Sequence, residues 1–362
     1  MFKHPKALDV YYKAQKLGRL ALAPDRRCVF EYQSEWLRDG FSISPFFLPL
    51  KSGVFTGRTE PFNGLFGVFN DSLPDGWGML LTDRWLKENG FNPAEFTIID
   101  RLSIVGNHGM GALSYHPAQN DLPNVESIHP LDYYANEVAK ILHADSSAAL
   151  KEIFNIAGSS GGARPKVLVK IEGTEWLIKF RASVDPEQVG AIEHHHAQLA
   201  VKCGIDMPET RLFDGKYFGV KRFDCMDGQR IHVHSAAGLL YASHRLPSLD
   251  YTDLLKATMA LTKDFNEVEK MFRRMVFNVA ISNKDDHAKN FSFIYHDNSW
   301  KLSPAYDLLP SVGFNNNHTT TVAGKGKPVL NDCLEVAKLM AFPANTAQRI
   351  MDEVITTIQH GR

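Results

Sequence analysis

The stretch Asn283-Lys-Asp-Asp-His-Ala-Lys-Asn290 decides the fold prediction because of the segments on either side of it. Before it, apolar residues recur at helical spacing at positions 268, 271, 272, 275, 276 and 279. This spacing predicts an amphipathic helix with one buried face, ending at Asn283. After it, residues 291–295 predict a short strand, and a second hairpin arm ends near Leu302. The sequence therefore predicts a polar loop held between two buried elements.

Two residues in this loop have a spacing with chemical meaning. In protein kinases, the aspartate that orients the substrate hydroxyl is followed five residues later by an asparagine that binds magnesium. Asp285 and Asn290 have this spacing, which the neighbouring Asp286 lacks. Asp307, in Leu302-Ser-Pro-Ala-Tyr-Asp307, is placed to supply a further oxygen ligand beyond the strand pair. We predict catalytic roles for Asp285, Asn290 and Asp307, with Asn290 and Asp307 binding Mg²⁺.

Two other interpretations of the loop stay open. It could be a solvated end of a helix carrying ordinary charges, which would suffice for a lone Asp-Asp-His. Asp286 and His287 could instead bind a transition metal, although no second histidine lies at helix or strand spacing from His287. The glycine-rich run and the lysine described next favour phosphoryl transfer.

A glycine-rich run lies upstream and leads into a predicted strand. Glycines allow a backbone to approach phosphates closely, and successive amides can point at an anion. The run lacks the Gly-Lys-Ser/Thr ending of a Walker loop, and serine and glycine also form ordinary turns. Its candidate nucleotide-binding residues are Gly158, Ser159, Ser160, Gly161, Gly162 and Lys166.

A predicted hairpin follows, with arms at 166–171 and 175–180. Lys179 ends the apolar second arm, so a buried lysine there would need an anionic partner. The α- and β-phosphates of ATP would serve, with Glu193 of the following helix, predicted at 186–204, holding the lysine in place. The alternative is an edge-strand lysine facing water. Lys166 has the same two possibilities and ranks second.

The bulk composition limits the class of protein. The chain has 362 residues and a formal net charge of -1, from 40 basic and 41 acidic side chains. A protein whose own surface holds DNA is usually more basic, so dominant nucleic-acid binding is disfavoured. Four cysteines without a Cys-x-x-Cys pair fit a reducing compartment. No apolar stretch resembles a signal core or a bilayer span, so we expect a cytoplasmic protein without a membrane partner.

The order of predicted elements gives the fold class. Strands are predicted within 8–33, a helix at 78–89 after the turn-rich stretch 72–76, and two helices at 131–143 and 147–156. A linker is predicted at 117–123. We predict an α+β fold with a small β-rich N-terminal domain followed by a bilobal protein-kinase-like domain whose C-lobe is mostly α-helical. The predicted boundaries are 1–120 for the N-terminal domain, 121–228 for the N-lobe and 229–362 for the C-lobe.

Five motifs together resemble the HipA toxin kinases of bacterial toxin–antitoxin modules, over nearly the whole chain. They are Phe62-Asn-Gly-Leu-Phe-Gly-Val-Phe-Asn-Asp-Ser-Leu-Pro-Asp-Gly-Trp77, Gly109-Met-Gly-Ala-Leu113, Ser159-Ser-Gly-Gly-Ala-Arg-Pro-Lys166, Asp285-Asp-His-Ala-Lys-Asn-Phe-Ser292 and Leu302-Ser-Pro-Ala-Tyr-Asp307. The resemblance implies a serine/threonine protein kinase using ATP and Mg²⁺. It also implies an adenine-binding hinge at 219–223. The nucleotide-binding set is thereby completed by Lys221, Phe223 and His287.

The resemblance further implies regulation and partners. Autophosphorylation of Ser159, or of Ser160, would inactivate the enzyme. The protein substrate would be an aminoacyl-tRNA synthetase, notably the glutamyl enzyme. A small HipB-like helix-turn-helix antitoxin would bind the chain and the operator, so DNA would be a partner only indirectly. Two alternatives stay open: a small-molecule phosphotransferase with the same core, and a catalytically silent co-repressor partner of the antitoxin.

Overall fold

The computed structural model describes residues 2–119, 129–143, 145, 147–157, 161–226, 228–244 and 246–361. The predicted glycine-loop residues Gly158, Ser159 and Ser160, and residues 120–123 of the predicted linker, lie outside the described residues. Within them the chain divides into two compact units, Met1–Ala191 with Arg211–His232, and Ile192–Thr210 with Val233–Arg362.

The first unit begins with an antiparallel sheet of order β4-β3-β2-β1-β5. Its strands are β1 (Ala7–Tyr12), β2 (Gln15–Leu22), β3 (Cys28–Tyr32), β4 (Val54–Thr56) and β5 (Leu113–His116). Alternate residues point to one buried face, as at Leu8 and Val10 of β1, because successive side chains of a strand alternate between faces. Helices of this part are α1 (Ser34–Asp39), α2 (Gly67–Asn70), α3 (Gly76–Glu88), a 3₁₀ turn (Pro93–Glu95) and α4 (Ile98–Val105).

A second sheet in the same unit has the order β6-β7-β9-β8. Two helices precede it and a short hairpin follows it: α5 (Leu131–Leu142), α6 (Leu150–Ala157), β6 (Lys166–Ile171), β7 (Thr174–Lys179), β8 (Thr210–Phe213), β9 (Tyr217–Lys221), β10 (Cys225–Met226) and β11 (Gln229–Arg230). Lys166 lies opposite Lys179, and Lys179 lies opposite Phe218. Directly opposed residues of antiparallel strands share a face, so these three side chains leave the sheet on the same side.

One apolar core joins the early helices to this sheet. Trp77 and Leu81 of α3 belong to the same buried cluster as Val167 of β6 and Ile178 of β7. The rings of Trp85 and Phe154 stack with centroids 4.9 Å apart, which packs α3 against α6.

The second unit is mostly helical. Its elements are α7 (Val189–Lys202, beginning in the first unit), β12 (His232–Ser235), α8 (Ala236–Leu240), β13 (Leu249–Asp250), α9 (Tyr251–Thr262), α10 (Phe265–Ile281), a 3₁₀ turn (Ala288–Asn290), β14 (Ser292–His296), β15 (Ser299–Leu302), a second 3₁₀ turn (Phe314–Asn316), β16 (Thr320–Thr321), α11 (Leu330–Leu339) and α12 (Ala344–His360). Strands β12, β14 and β15 form one small sheet, and β13 pairs with β16 in parallel. The core of this unit surrounds α10, whose apolar positions are buried as the helical spacing predicts.

Most predicted elements are present with shifted ends. The helix predicted at 78–89 runs from Gly76 to Glu88, and the helix predicted at 186–204 runs from Val189 to Lys202. The hairpin of β6 and β7 and the helix α10 are confirmed. In the described part of the chain, no helix is both long and apolar enough to cross a membrane.

Candidate functional site

The candidate catalytic loop begins where α10 ends. Ser282, at φ 58°, takes the left-handed conformation that stops the helix, and the chain turns into Asn283. The Asn283 side chain, 1% exposed, donates from Nδ2 to Asn278 Oδ1 at 3.0 Å and to the Asp307 carbonyl at 3.1 Å. Its Oδ1 accepts from Ser311 Oγ at 3.0 Å. A single buried amide thus ties the helix end to the loop that carries Asp307.

Asp285 and Asn290 are brought together by the same loop. Asn290 Nδ2 donates to the Asp285 carbonyl at 2.7 Å, and the Asp285 amide donates to Ser311 Oγ at 2.8 Å. The Asp285 side chain is exposed, whereas Asn290 and Asp307 are half-buried. Because its nitrogen is committed to the Asp285 carbonyl, Asn290 retains its amide oxygen as the group that can accept or coordinate.

Asp286, unlike the exposed Asp285, is completely buried. Its carboxylate is 0% exposed and accepts hydrogen bonds from Tyr251 Oη at 2.9 Å, Thr319 N at 2.9 Å and Thr320 N at 3.2 Å. His318 Nδ1 lies 2.9 Å from the same carboxylate and donates to it when that nitrogen is protonated. Because the Asp286 carboxylate is buried and already hydrogen-bonded to these groups, it anchors the loop and is poorly placed to react with a ligand.

His287, the loop residue of the predicted nucleotide-binding set, caps a short turn. Its Nδ1 accepts from Lys289 N at 3.2 Å, at the start of the 3₁₀ turn that ends at Asn290. Its ring centroid lies 6.3 Å from that of His244. Across the described residues, no group of three His, Cys, Asp or Glu side chains gathers to hold a metal. The oxygen donors of Asn290 and Asp307 fit Mg²⁺, which takes few protein ligands and completes its shell with phosphates and water.

The described end of the glycine-rich run lies in the first unit. Lys166 is 6% exposed, and its Nζ donates to the Gly161 carbonyl. Gly162 has φ +86°, and a Cβ at that position would lie 2.5 Å from Lys166 Nζ. The positive φ favours glycine at this position, and Gly161 and Gly162 lie against the ammonium group of the buried lysine.

The two predicted strand lysines differ in burial. Lys179 is half-buried, with Nζ 5.6 Å from the centre of the Phe218 ring, and Lys166 is the more deeply buried of the two. Since a buried ammonium group needs an anionic partner, burial favours Lys166 over Lys179, which the sequence ranks first. Glu193, the predicted partner of Lys179, is buried on α7 and belongs to the second unit.

An ionic cluster that sequence reasoning missed lies directly after the predicted hinge. Arg222 donates to both oxygens of Asp224, from Nε at 3.0 Å and from Nη2 at 2.7 Å, and from Nη1 to Glu175 at 3.2 Å. Asp224 also accepts from Gly111 N at 2.8 Å. Burial would raise the pKa of Asp224, but the charge and hydrogen bonds of Arg222, together with Arg230 and the Gly111 amide, lower that pKa to about 2.

This cluster fixes the end of the hinge and the chain that follows it. Arg230 Nη1 donates to the Asn107 carbonyl at 2.8 Å. Asp224 and Arg230, which both follow β9 in the chain, therefore contact the segment 107–111. Of the predicted hinge side chains, Lys221 is exposed and Phe223 is half-buried. Lys221 lies opposite Trp176 in the ladder, which puts it on the other face of the sheet from Lys179.

A second missed feature connects the start of α3 to the glycine-rich run. The Asp75 carboxylate accepts a hydrogen bond from the Gly162 amide. Trp77 donates from its backbone N to the Gly162 carbonyl at 3.0 Å and from Nε1 to the Lys166 carbonyl at 3.0 Å. The turn-rich stretch before α3 therefore also contacts the described end of the glycine-rich run, at Gly162.

Comparison with protein families identifies the chain. Residues 8–116 match the model of the HipA N-terminal domain, and residues 158–361 match the model of the HipA-like C-terminal domain. The chain belongs to the HipA family. The family resemblance predicted from the five motifs is thus confirmed.

Two related proteins and one solved structure extend the comparison. "Putative kinase Y4dM" of Sinorhizobium fredii is 24% identical over 98% of this chain and 90% of its own length. "Putative kinase Y4mE" of the same species is 29% identical over 85% of this chain and 78% of its own length. Shewanella oneidensis HipA, solved with HipB and operator DNA, has a TM-score of 0.72 at 17% identity, covering 98% of this chain and 89% of that one.

These comparisons confirm the fold class of this HipA-family chain, an α+β fold with a β-rich N-terminal part and a protein-kinase-like remainder. The names of the relatives support the coarse enzyme class, a kinase-like phosphotransferase.

Proposed function

We propose that this HipA-family chain is an ATP-dependent kinase that phosphorylates a serine or threonine of a protein substrate. The observation that carries the proposal is the pairing of Asp285 with Asn290. The Asp285 side chain is exposed and would orient an incoming hydroxyl, and the bond from Asn290 Nδ2 to the Asp285 backbone carbonyl holds the two residues together. These are the two groups that a phosphotransferase of the protein-kinase type uses at this spacing.

The oxygen ligands and the loop complete the proposed site. Asn290 and Asp307 would hold Mg²⁺, which when bound neutralises charge on the β- and γ-phosphates of ATP. Lys166 and Lys179 leave the same face of the second sheet and would pair with the α- and β-phosphates. The backbone of Gly161 and its neighbours would approach those phosphates. Phosphoryl transfer would then depend on Asp285, because a positioned carboxylate must receive the proton of the hydroxyl.

The partners are proposed on family grounds. Shewanella oneidensis HipA was solved with HipB and operator DNA, which supports a HipB-like helix-turn-helix antitoxin as the partner of this chain. DNA contact would be indirect, as the net charge of -1 favours. The protein substrate would be an aminoacyl-tRNA synthetase, and autophosphorylation at Ser159 or Ser160 would switch the enzyme off.

Transfer of ³²P from [γ-³²P]ATP to proteins and to the metabolite pool of a cell extract tests the proposal. Wild type should label protein, and Asp285→Asn and Asp307→Asn should each abolish labelling. Asp352→Asn, an exposed aspartate on α12, is the matched control and should label like wild type. Labelled metabolites without labelled protein would favour a small-molecule phosphotransferase. No transfer at all by folded wild type would favour a catalytically silent partner of the antitoxin.

Two further measurements address toxicity and self-inactivation. Expression without antitoxin should arrest growth, and Asp285→Asn should relieve the arrest; equal arrest by both would mean that phosphoryl transfer is not the cause. Incubation with Mg-ATP should add one phosphate to the peptide containing Ser159 and Ser160, with activity falling as it accumulates. A phosphate adds about -1.5 to -2 charges, which would repel ATP from the loop.

A further inference from the structure

The segment Asp75-Gly76-Trp77 makes three hydrogen bonds to the described end of the glycine-rich run. Gly162 donates its amide to Asp75 Oδ1, and its carbonyl accepts from Trp77 N at 3.0 Å. Trp77 Nε1 donates to the Lys166 carbonyl at 3.0 Å. Both polar groups of the Gly162 backbone are therefore held by residues more than eighty positions earlier in the chain.

The use of Asp75 in this contact is unusual for its position. Asp75 is the N-cap residue of α3, where an aspartate ordinarily accepts a hydrogen bond from an amide in the first turn of its own helix. Here its side chain makes no such bond with the first turn, all of whose residues are among those described. The acceptor that would cap α3 is bonded instead to Gly162. Helix capping therefore does not explain this carboxylate.

Close packing reinforces the attachment. Gly76 has φ +38°, and a Cβ there would lie 2.6 Å from Ala163 Cα and 2.7 Å from the Gly162 carbonyl oxygen. The two backbones thus touch at a distance that only glycine permits. Trp77 is 1% exposed and belongs to the apolar core of the first unit. Through it the end of the glycine-rich run is anchored to that apolar core.

We propose that Asp75 is a positioning residue that holds the end of the glycine-rich loop ready for the phosphates of ATP. The inference rests on the proposed function, in which this loop binds ATP. Holding the end of the loop in advance reduces the ordering that nucleotide binding would otherwise require. The role needs a hydrogen-bond acceptor and not a charge, so asparagine, which keeps an amide oxygen, should replace Asp75 well.

The test compares Asp75→Ala, Asp75→Asn and the matched control Glu88→Ala, an exposed acidic residue at the far end of α3. Asp75→Ala should raise the KM for ATP roughly three- to tenfold, the size expected for losing the hydrogen bond from Gly162, with kcat nearly unchanged. Asp75→Asn and Glu88→Ala should stay within about twofold of wild type. Hydrogen exchange of the peptide containing Gly161 and Gly162, measured without nucleotide, should be faster in Asp75→Ala alone.

Three outcomes would overturn the inference in distinguishable ways. Wild-type behaviour of Asp75→Ala in both KM and exchange would show that the contact does not position the loop. Tighter ATP binding by both Asp75 variants would make the carboxylate a barrier to phosphate. Failure of the wild-type protein to bind Mg-ATP would overturn the proposed function itself. Exchange of the α10 peptides, measured in the same experiment, should stay at the wild-type rate in Asp75→Ala, which separates loss of the anchor from poor folding.

Discussion

The two adjacent aspartates of the catalytic loop should respond oppositely to the same substitution. Asp285 is exposed, and Asp286 is fully buried with four hydrogen-bond partners. We expect Asp285→Asn to abolish transfer and leave stability unchanged. We expect Asp286→Asn to lower stability and leave much of the activity of each folded molecule.

The stability effect follows from the donors around Asp286. In Asp286→Asn an amide nitrogen replaces one carboxylate oxygen. The groups that donated to that oxygen then lose their acceptor. An unsatisfied buried donor costs about 1–3 kcal/mol, so Asp286→Asn should cost about that amount. Asp286→Ala would remove the acceptor from all four partners and should cost about 3–5 kcal/mol after relaxation. Asp285→Asn, at an exposed position, should change stability by less than about 1 kcal/mol.

The activity effect follows from the proposed roles. Removing a group that acts on the reacting atoms typically costs at least about 100-fold in rate, which we expect for Asp285→Asn. For Asp286→Asn we expect a loss below about tenfold per folded molecule, because its carboxylate is occupied within the protein.

Urea unfolding and ³²P transfer measured on the same preparations separate the two effects. The unfolding slope must match wild type for the free energies of unfolding to be compared. Wild-type stability of Asp286→Asn, or a folded Asp286→Asn as inactive as Asp285→Asn, would contradict the structural role of Asp286. Transfer by Asp285→Asn at the wild-type rate would contradict the catalytic role of Asp285.

Three further changes test other parts of the site. Asp224→Asn should be less stable than wild type above about pH 4, and the difference in the free energy of unfolding should shrink as the pH falls toward about 2. Urea unfolding at a series of pH values measures this difference. The reason is that the lowered pKa of Asp224 beside Arg222 adds about 2 kcal/mol to the free energy of unfolding, and only while the carboxyl is ionised. Arg274→Met should lower the free energy of unfolding in urea by about 1–3 kcal/mol, because buried Arg274 donates to the Ser303 carbonyl of the segment leading to Asp307. Asn290→Ala should raise the Mg²⁺ concentration for half-maximal transfer roughly 10- to 100-fold, with the thermal midpoint nearly unchanged; an unaltered Mg²⁺ dependence would exclude Asn290 as a ligand.

The local parts of the fold could be predicted from the sequence because their signals are local. Apolar residues at helical spacing locate α10, and two β-prone runs around Gly173 locate the hairpin of β6 and β7. The ends shift by a few residues because capping and packing, and not composition, decide where an element stops. The pairing of Asp285 with Asn290 is also local and follows from their spacing.

Contacts between distant parts of the chain could not be predicted in this way. The sequence shows two adjacent aspartates, but only the fold brings His318 and Thr319 to one of them. Likewise, nothing near Asp75 in the sequence indicates that its carboxylate meets Gly162, 87 positions later. Spacing identifies which residues are suited to chemistry, whereas their burial depends on partners that spacing cannot reveal.

The shared core of the first unit limits how such a protein can change over time. Trp77 and Leu81 from the N-terminal part are buried with Val167 and Ile178 of the second sheet. A deletion that removed the N-terminal part would therefore expose an apolar surface beneath that sheet, with the aggregation risk that such surfaces carry. Descendants of this gene should inherit or lose the two parts together. In a shortened copy that keeps only residues 158–361, we expect selection to favour polar substitutions or a new segment that buries this exposed surface.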